Sequence, residues 1–149
     1  MVLQFLSFVL LVLSRSYFLP SVQPLSFIFV AEFYFCRGRE YQNRWEFARA
    51  IADYNQVLRL DAKDADAYFN RGVARYNLGE YQKAIADYNL ALELNSNYAE
   101  AYYNRGLSYT ELGNNLQALQ DFQQAANLYL QQQKPDYYED AQQRIRELQ

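Results

Sequence analysis

The sequence contains no histidine and only one cysteine, Cys36. Histidine is the commonest general base and the commonest metal ligand, so its absence removes the usual centre of acid–base catalysis and metal binding. One cysteine alone forms neither an intrachain disulfide nor a multi-cysteine metal site. The five glycines are spread singly, which excludes a glycine-rich phosphate loop. We therefore expect no enzyme activity, no catalytic residues, no metal site and no cofactor.

Positive charge is also scarce. Lysine and arginine together number 14 against 17 aspartate and glutamate, which gives a net charge of −3 without any basic run. A nucleic-acid binder needs a basic surface, so we expect no nucleic-acid partner. In contrast, 51% of the 149 residues are hydrophobic and 17% are aromatic. This composition predicts a packed domain and not a disordered chain.

The chain repeats itself. Gly38, Gly72 and Gly106 stand at equal intervals along the chain. Around each glycine the same residue types recur at the same distances, in four columns: Arg37, Arg71 and Arg105; Tyr34, Tyr68 and Tyr102; Ala50, Ala84 and Ala118; Tyr54, Tyr88 and Phe122. A fixed period in the range of about 20 to 50 residues indicates a stack of repeated units. We assign three repeats to residues 31–64, 65–98 and 99–132, after a hydrophobic segment at residues 1–30.

Each repeat is predicted to be a pair of helices, because apolar residues recur at three-to-four spacing on both sides of a break. Gly79 and Gly113 are placed to end the first helix with positive φ. Asn95, Ser96 and Asn97 form a turn cluster that we expect to supply the N-cap of the next helix. Glycines inside a helix cost stability. We expect them to allow close approach of the partner helix, with Ala84 and Ala118 as the matching indentation.

This pattern resembles the tetratricopeptide repeat, whose signature combines these aromatic, glycine and alanine positions and recurs with the same period. The resemblance implies an all-α fold: a right-handed superhelical solenoid of antiparallel helix pairs. The chain departs from the signature in carrying arginine before each glycine, in lacking the terminal proline, and in having Trp45 where the later repeats have Gly79 and Gly113.

An aspartate recurs together with the arginine that precedes each glycine. Asp53, Asp87 and Asp121 each follow the arginine of their repeat at one constant separation. In an antiparallel helix pair those two places face each other, so we predict the ion pairs Arg37–Asp53, Arg71–Asp87 and Arg105–Asp121. We expect them to clasp the two helices; an anion-binding site is the alternative.

The two ends of the chain differ from the repeats. Residues 135–149 are predicted to form a capping helix that begins with Pro135 and has a polar outer face. Residues 1–30 contain one charged residue, Arg15, and residues 1–13 are almost wholly apolar. They are interpreted as a signal peptide, as a membrane anchor at about residues 1–19, as a translated leader, or as a segment folded onto the first repeat. The protein is membrane-associated or exported if residues 1–19 are native, and otherwise cytoplasmic.

The resemblance further implies that a partner lies in the concave groove, which the first helix of each repeat lines. The residues that this places in the groove are Phe35, Arg39, Asp66, Phe69, Asn70, Val73, Tyr76, Asn77, Glu100, Tyr103, Asn104, Leu107 and Glu111. They form an aromatic strip edged by carboxylates and amides, which suits an apolar or weakly basic peptide. The alternative is that several of these aromatic rings only pack within the stack.

Chaperone-binding members of the family grip a C-terminal carboxylate with lysine, asparagine and arginine at set places. In this sequence those places hold Phe35, Arg39, Asn70, Glu100 and Asn104, and only Asn70 matches. Since both lysines are missing, we expect no binding of chaperone C-terminal tails.

The sequence therefore favours an interaction scaffold that binds a protein or peptide partner. Two alternatives stay open. One is a membrane-tethered assembly factor, held at a bilayer by residues 1–19. The other is an accessory part or fragment of a larger enzyme that contains such repeats.

Overall fold

The computed structural model describes residues 25–149, and this part of the chain consists of seven helices without a strand. The helices are α1 (Leu25–Asn43), α2 (Phe47–Leu60), α3 (Ala65–Asn77), α4 (Tyr81–Leu94), α5 (Ala99–Glu111), α6 (Asn115–Gln131) and α7 (Pro135–Glu147). α1 packs on α2, α3 on α4 and α5 on α6, while α7 closes the stack against α6. The all-α prediction is confirmed, and a helix lies where the capping helix is predicted.

The stack is curved toward its first helices. Each of α1, α3 and α5 contacts the next in this series, whereas the second helices α2, α4 and α6 make little or no direct contact with one another. Helices on the inside of a curved stack lie closer together than those outside. The surface shared by α1, α3 and α5, hereafter the first-helix face, is therefore the concave side.

Helix α1 is longer than its counterparts. It has 19 residues, against 13 in α3 and in α5, and it begins at Leu25, inside the segment that we separated from the repeats. Leu25 and Phe29 are exposed on this extension. No helix within residues 25–149 has the length and apolarity to cross a membrane. The signal, anchor and leader interpretations concern residues 1–30, of which residues 1–24 lie outside the described residues.

The turns inside the repeats share one backbone geometry. Gly79 and Gly113 have φ of 74°, and Trp45 has φ of 63° at the same place in the first repeat. In the second repeat the amide of Glu80 donates to the carbonyl of Arg75, which satisfies a carbonyl that the helix end leaves free. The prediction for both glycines is confirmed, and Trp45 adopts the left-handed conformation without the freedom of glycine.

Substitutions at the positive-φ positions Gly79 and Trp45 should change the stability of the protein. Within residues 25–149, no atom apart from those of Gly79 and its two chain neighbours lies within 4 Å of a Cβ built on Gly79, so Gly79→Ala changes mainly the backbone cost. We expect it to lower the free energy of unfolding by about 1 kcal/mol, because L residues pay for positive φ. The reverse change, Trp45→Gly, should raise it by about 1 kcal/mol, since the indole is largely exposed. Thermal or urea unfolding of the two variants tests this, and equal stability of Gly79→Ala and the wild type would contradict it.

One prediction about helix starts is wrong. The residue before α5 is Tyr98, which makes no side-chain capping hydrogen bond, so the cluster Asn95–Asn97 supplies no N-cap. Asn95 instead ends α4, and its Oδ1 accepts a hydrogen bond from the amide of Asn97 at 3.1 Å. The side chain serves the turn itself, as asparagine often does. A true cap occurs before α3, where Asp64 accepts from the amide of Ala67 at 2.8 Å.

The glycines inside the first helices accommodate aromatic rings. A Cβ added to Gly72 would lie 2.6 Å from Cε1 of Tyr88, and one added to Gly106 would lie 2.9 Å from Cε1 of Phe122. Ala84 and Ala118 are fully buried, but they are not the groups that require the glycines. The predicted close approach of the partner helix is therefore confirmed, but the group that comes nearest to the glycine is the aromatic ring of the second helix and not the alanine.

Candidate functional site

All three predicted Arg–Asp pairs are present. In each repeat the Nε and Nη2 atoms of the arginine donate to the two carboxylate oxygens of the aspartate. The distances are 2.7 and 2.7 Å in the first repeat, 2.9 and 2.6 Å in the second, and 2.7 and 2.7 Å in the third. Two parallel charge-assisted bonds fix both side chains. The pairs clasp the two helices of a repeat, as predicted.

The same arginines also join neighbouring repeats, which the sequence reasoning missed. Nη1 of Arg71 donates to Oδ1 of Asn55 at 2.7 Å, and Nη1 of Arg105 donates to Oδ1 of Asn89 at 2.6 Å. Each asparagine belongs to the second helix of the preceding repeat. The available signal was its position, which precedes the arginine by the same separation in both cases. These arginines therefore hold helix to helix and repeat to repeat.

Their electrostatics fit a structural role. The hydrogen bond to Asp53 raises the pKa of Arg37 above its usual value. Burial alone would lower the pKa of Arg105, but the hydrogen bond and the charge of Asp121 raise it overall. Asp87, whose side chain is only 1% exposed, receives a second arginine, Arg75, at 2.9 Å. With the guanidinium groups engaged by carboxylates, the alternative of an anion site at these arginines is not favoured.

The predicted groove residues all lie on the first helices, which form the concave side of the stack. Their aromatic members are half-buried and pack against the second helices or the neighbouring repeat. Ring centroids lie 5.8 Å apart in Phe35–Tyr54, 4.8 Å in Phe69–Tyr98 and 5.4 Å in Tyr103–Phe122. The rings therefore contribute to packing within the stack, as the alternative interpretation held, while part of each remains accessible on the first-helix face.

Tyrosine–carboxylate hydrogen bonds connect successive first helices across this face. The hydroxyl of Tyr98 donates to Asp66 at 2.7 Å, and the hydroxyl of Tyr76 donates to Glu111 at 3.4 Å. Burial, reinforced by the bond to Asp66, raises the pKa of Tyr98, so this hydroxyl stays protonated and remains a donor. Sequence reasoning missed Tyr98 because it lies in the turn before α5, outside the helical register from which the groove was read.

The groove asparagines share one orientation. Nδ2 of Asn70 donates to the backbone carbonyl of Asp66, Nδ2 of Asn104 to that of Glu100, and Nδ2 of Asn77 to that of Val73, each at 2.8 Å. The amide nitrogen of each side chain thus has a partner in its own helix. The amide oxygens remain, and they can accept hydrogen bonds from a ligand.

The capping region contributes cations to the far end of the face. Nζ of Lys134 lies 2.7 Å from Oε1 of Glu100, and Nε of Arg144 donates to the hydroxyl of Tyr103 at 3.5 Å. Sequence reasoning missed both residues because it confined the groove to the three repeats. Of the remaining predicted members, Arg39 is exposed, while Val73 and Leu107 are half-buried.

Known proteins share this architecture. The first TPR domain of Spaghetti (RPAP3), bound to the HSP90 peptide SRMEEVD, is 26% identical, with a TM-score of 0.73 over 80% of this chain and 90% of that one. The second TPR domain of Spaghetti, bound to the same peptide, is 29% identical, with a TM-score of 0.65 over 66% and 92%. The Arabidopsis OM64 TPR domain is 24% identical, with a TM-score of 0.74 over 81% and 98%, and shows the fold alone. A search of curated proteins gives no significant match.

Sequence models of the repeat family match the chain directly. A model described as TPR repeat matches residues 38–79, and two models described as tetratricopeptide repeat match residues 65–98 and 99–132. Together they span residues 38–132 and agree with the three helix pairs of the structure. The chain therefore belongs to the tetratricopeptide repeat family.

Proposed function

We propose that this protein is an interaction scaffold that binds a peptide segment of a partner protein on its first-helix face. The observation that carries the proposal is the composition of that face. Half-buried rings of Phe35, Phe69 and Tyr103 occupy the same place on α1, α3 and α5, and Asn70 and Asn104 directly follow two of them in the sequence. Aromatic rings supply most of the binding energy in such interfaces, and amide oxygens can accept hydrogen bonds from a peptide.

Related structures support a peptide as the ligand, since both Spaghetti domains are described with a bound peptide. The residues of this chain nevertheless favour a different peptide. Phe35 and Glu100 stand where the chaperone-binding members carry lysines, and Glu100 is a carboxylate already paired with Lys134. Because the lysines that hold an acidic tail are missing from both places, we expect no binding of a chaperone C-terminus. No contact within residues 25–149 favours the membrane-tethered or enzyme-accessory alternatives.

Selection of random short peptides on the full chain tests this function. Peptides that are enriched should bind the wild type, and Asn70→Arg should weaken them about tenfold or more, because it fills the centre of the face with a long side chain. Asn127→Arg on the exposed surface of α6 is the matched control and should leave binding unchanged. The peptide SRMEEVD should show no measurable binding. Failure to enrich any peptide, or equal loss in both variants, would contradict the proposal.

A further inference from the structure

The first-helix face carries a carboxylate at the same place in every repeat. Glu32, Asp66 and Glu100 recur with the same period as the glycines, each in the first helix of its repeat. In the second and third repeats an asparagine lies one helical turn later, Asn70 and Asn104. Residues one turn apart lie on the same side of a helix. Asp66, Asn70, Glu100 and Asn104, hereafter the acceptor patch, therefore form two matching carboxylate–amide pairs on neighbouring helices.

The acceptor patch is rich in oxygens. One N–H of each amide donates to a backbone carbonyl at 2.8 Å, so each asparagine presents its oxygen and its second N–H. Asp66 accepts one hydrogen bond, from Tyr98, and a carboxylate has acceptor sites for several. A ligand cation suits this patch because two carboxylates stand among its acceptors.

Among the described residues, the cation of Lys134 already binds this patch. The ammonium group of Lys134 lies 2.7 Å from Oε1 of Glu100 and stands 6.0 Å from the ring centre of Tyr129 and 5.9 Å from that of Tyr137. This is the combination of carboxylate and aromatic faces that recognises an ammonium group. Lys134 occupies only the end of the patch at Glu100. On α3, Asp66 and Asn70 have no cation among their described partners.

We propose that the acceptor patch binds a lysine or arginine side chain of the peptide. This inference rests on the proposed function and adds the chemistry of the ligand: an apolar segment with a central cation. The aromatic rings bind the apolar residues, while Asp66, Asn70 and the oxygens of the third repeat receive the ammonium or guanidinium group. A basic segment of a partner protein is the source of this cation.

The test uses the peptides enriched on the full chain. They should carry lysine or arginine at one common position, and replacing that residue with glutamine should weaken binding about tenfold or more, the range of close charge pairs. In the double variant Asp66→Asn/Glu100→Gln the same replacement should change binding by less than about twofold. The control Glu80→Gln/Glu93→Gln alters the net charge equally on α4 and its preceding turn, and it should retain the preference. Binding to the wild type should also weaken as salt rises.

The outcomes separate the two proposals. Enriched peptides that are sensitive to Asn70→Arg but show no preference for a cation would overturn the inference and leave the peptide-binding function in place. A cation preference that persists in Asp66→Asn/Glu100→Gln would assign it to other residues and would overturn the patch. If no peptide is enriched, both proposals fail. Circular dichroism confirms that each variant keeps its helices, so that a loss of binding reports the surface and not unfolding.

Discussion

Replacing Arg105 with leucine is expected to lower the free energy of unfolding by about 3 to 5 kcal/mol, the usual cost of breaking a buried ion pair. The carboxylate of Asp121 is 7% exposed, and both its oxygens are bonded to Arg105 at 2.7 Å. The variant leaves this carboxylate buried without a cation and also removes the bond to Asn89 of the preceding repeat. Urea unfolding followed by circular dichroism measures the loss.

Two further variants test whether the unpaired carboxylate causes the loss of stability in Arg105→Leu. Arg37→Leu leaves Asp53, whose side chain is 6% exposed, equally without a cation, but it breaks no asparagine bond within the described residues. Its effect should therefore be smaller than that of Arg105→Leu only by the contribution of the bond to Asn89. Adding Asp121→Leu to Arg105→Leu removes the unpaired charge and should restore much of the stability, because apolar replacements of a buried pair are often tolerated. A double variant no more stable than Arg105→Leu would show that the unpaired carboxylate is not the cause.

Gly72→Ala is expected to lower the free energy of unfolding by about 2 kcal/mol, the middle of the range for an overpacked core. Alanine in a helix ordinarily gains about 1 kcal/mol over glycine, so the sign of the effect decides between backbone preference and packing. Packing should prevail because the added Cβ would lie 2.6 Å from Cε1 of Tyr88, whose ring is fully buried.

Introducing Gly72→Ala into the Tyr88→Leu variant tests whether contact with the Tyr88 ring causes the loss of stability. Gly72→Ala should cost less there than in the wild type, since the two residues are in contact and their effects are coupled. Gly106→Ala should be milder than Gly72→Ala, because the corresponding approach, to Phe122, is 2.9 Å. A rise in melting temperature for Gly72→Ala would contradict the packing role assigned to the glycines.

Much of the fold could be predicted because the repeat multiplies every signal by three. A single pair of Arg and Asp at a given separation means little, but its recurrence at Arg37, Arg71 and Arg105 identifies facing positions on paired helices. Gly79 and Gly113 likewise mark helix ends because they recur in phase, and their φ of 74° agrees. The Arg–Asp pairs and the helix-ending glycines were therefore read correctly from their recurrence.

The errors arose where contacts depend on three-dimensional packing. The period places Ala84 opposite Gly72, but only the structure shows that the ring of Tyr88 occupies the space. Tyr98 joins two first helices from a turn, and Lys134 reaches Glu100 from outside the repeats, so neither follows from the helical register. For the site, the sequence indicated which residues share a helix face, but not that the amide nitrogens of Asn70 and Asn104 are already bonded.

The central claim is that the concave, first-helix side of the stack binds the partner. Amide chemical-shift mapping by NMR, with an enriched peptide titrated into the full-length protein, tests it most directly. We predict that the largest changes fall on α3 and α5, around Asn70 and Asn104, with smaller changes on α1. Changes concentrated on the exposed surfaces of α2, α4 and α6 would contradict the account.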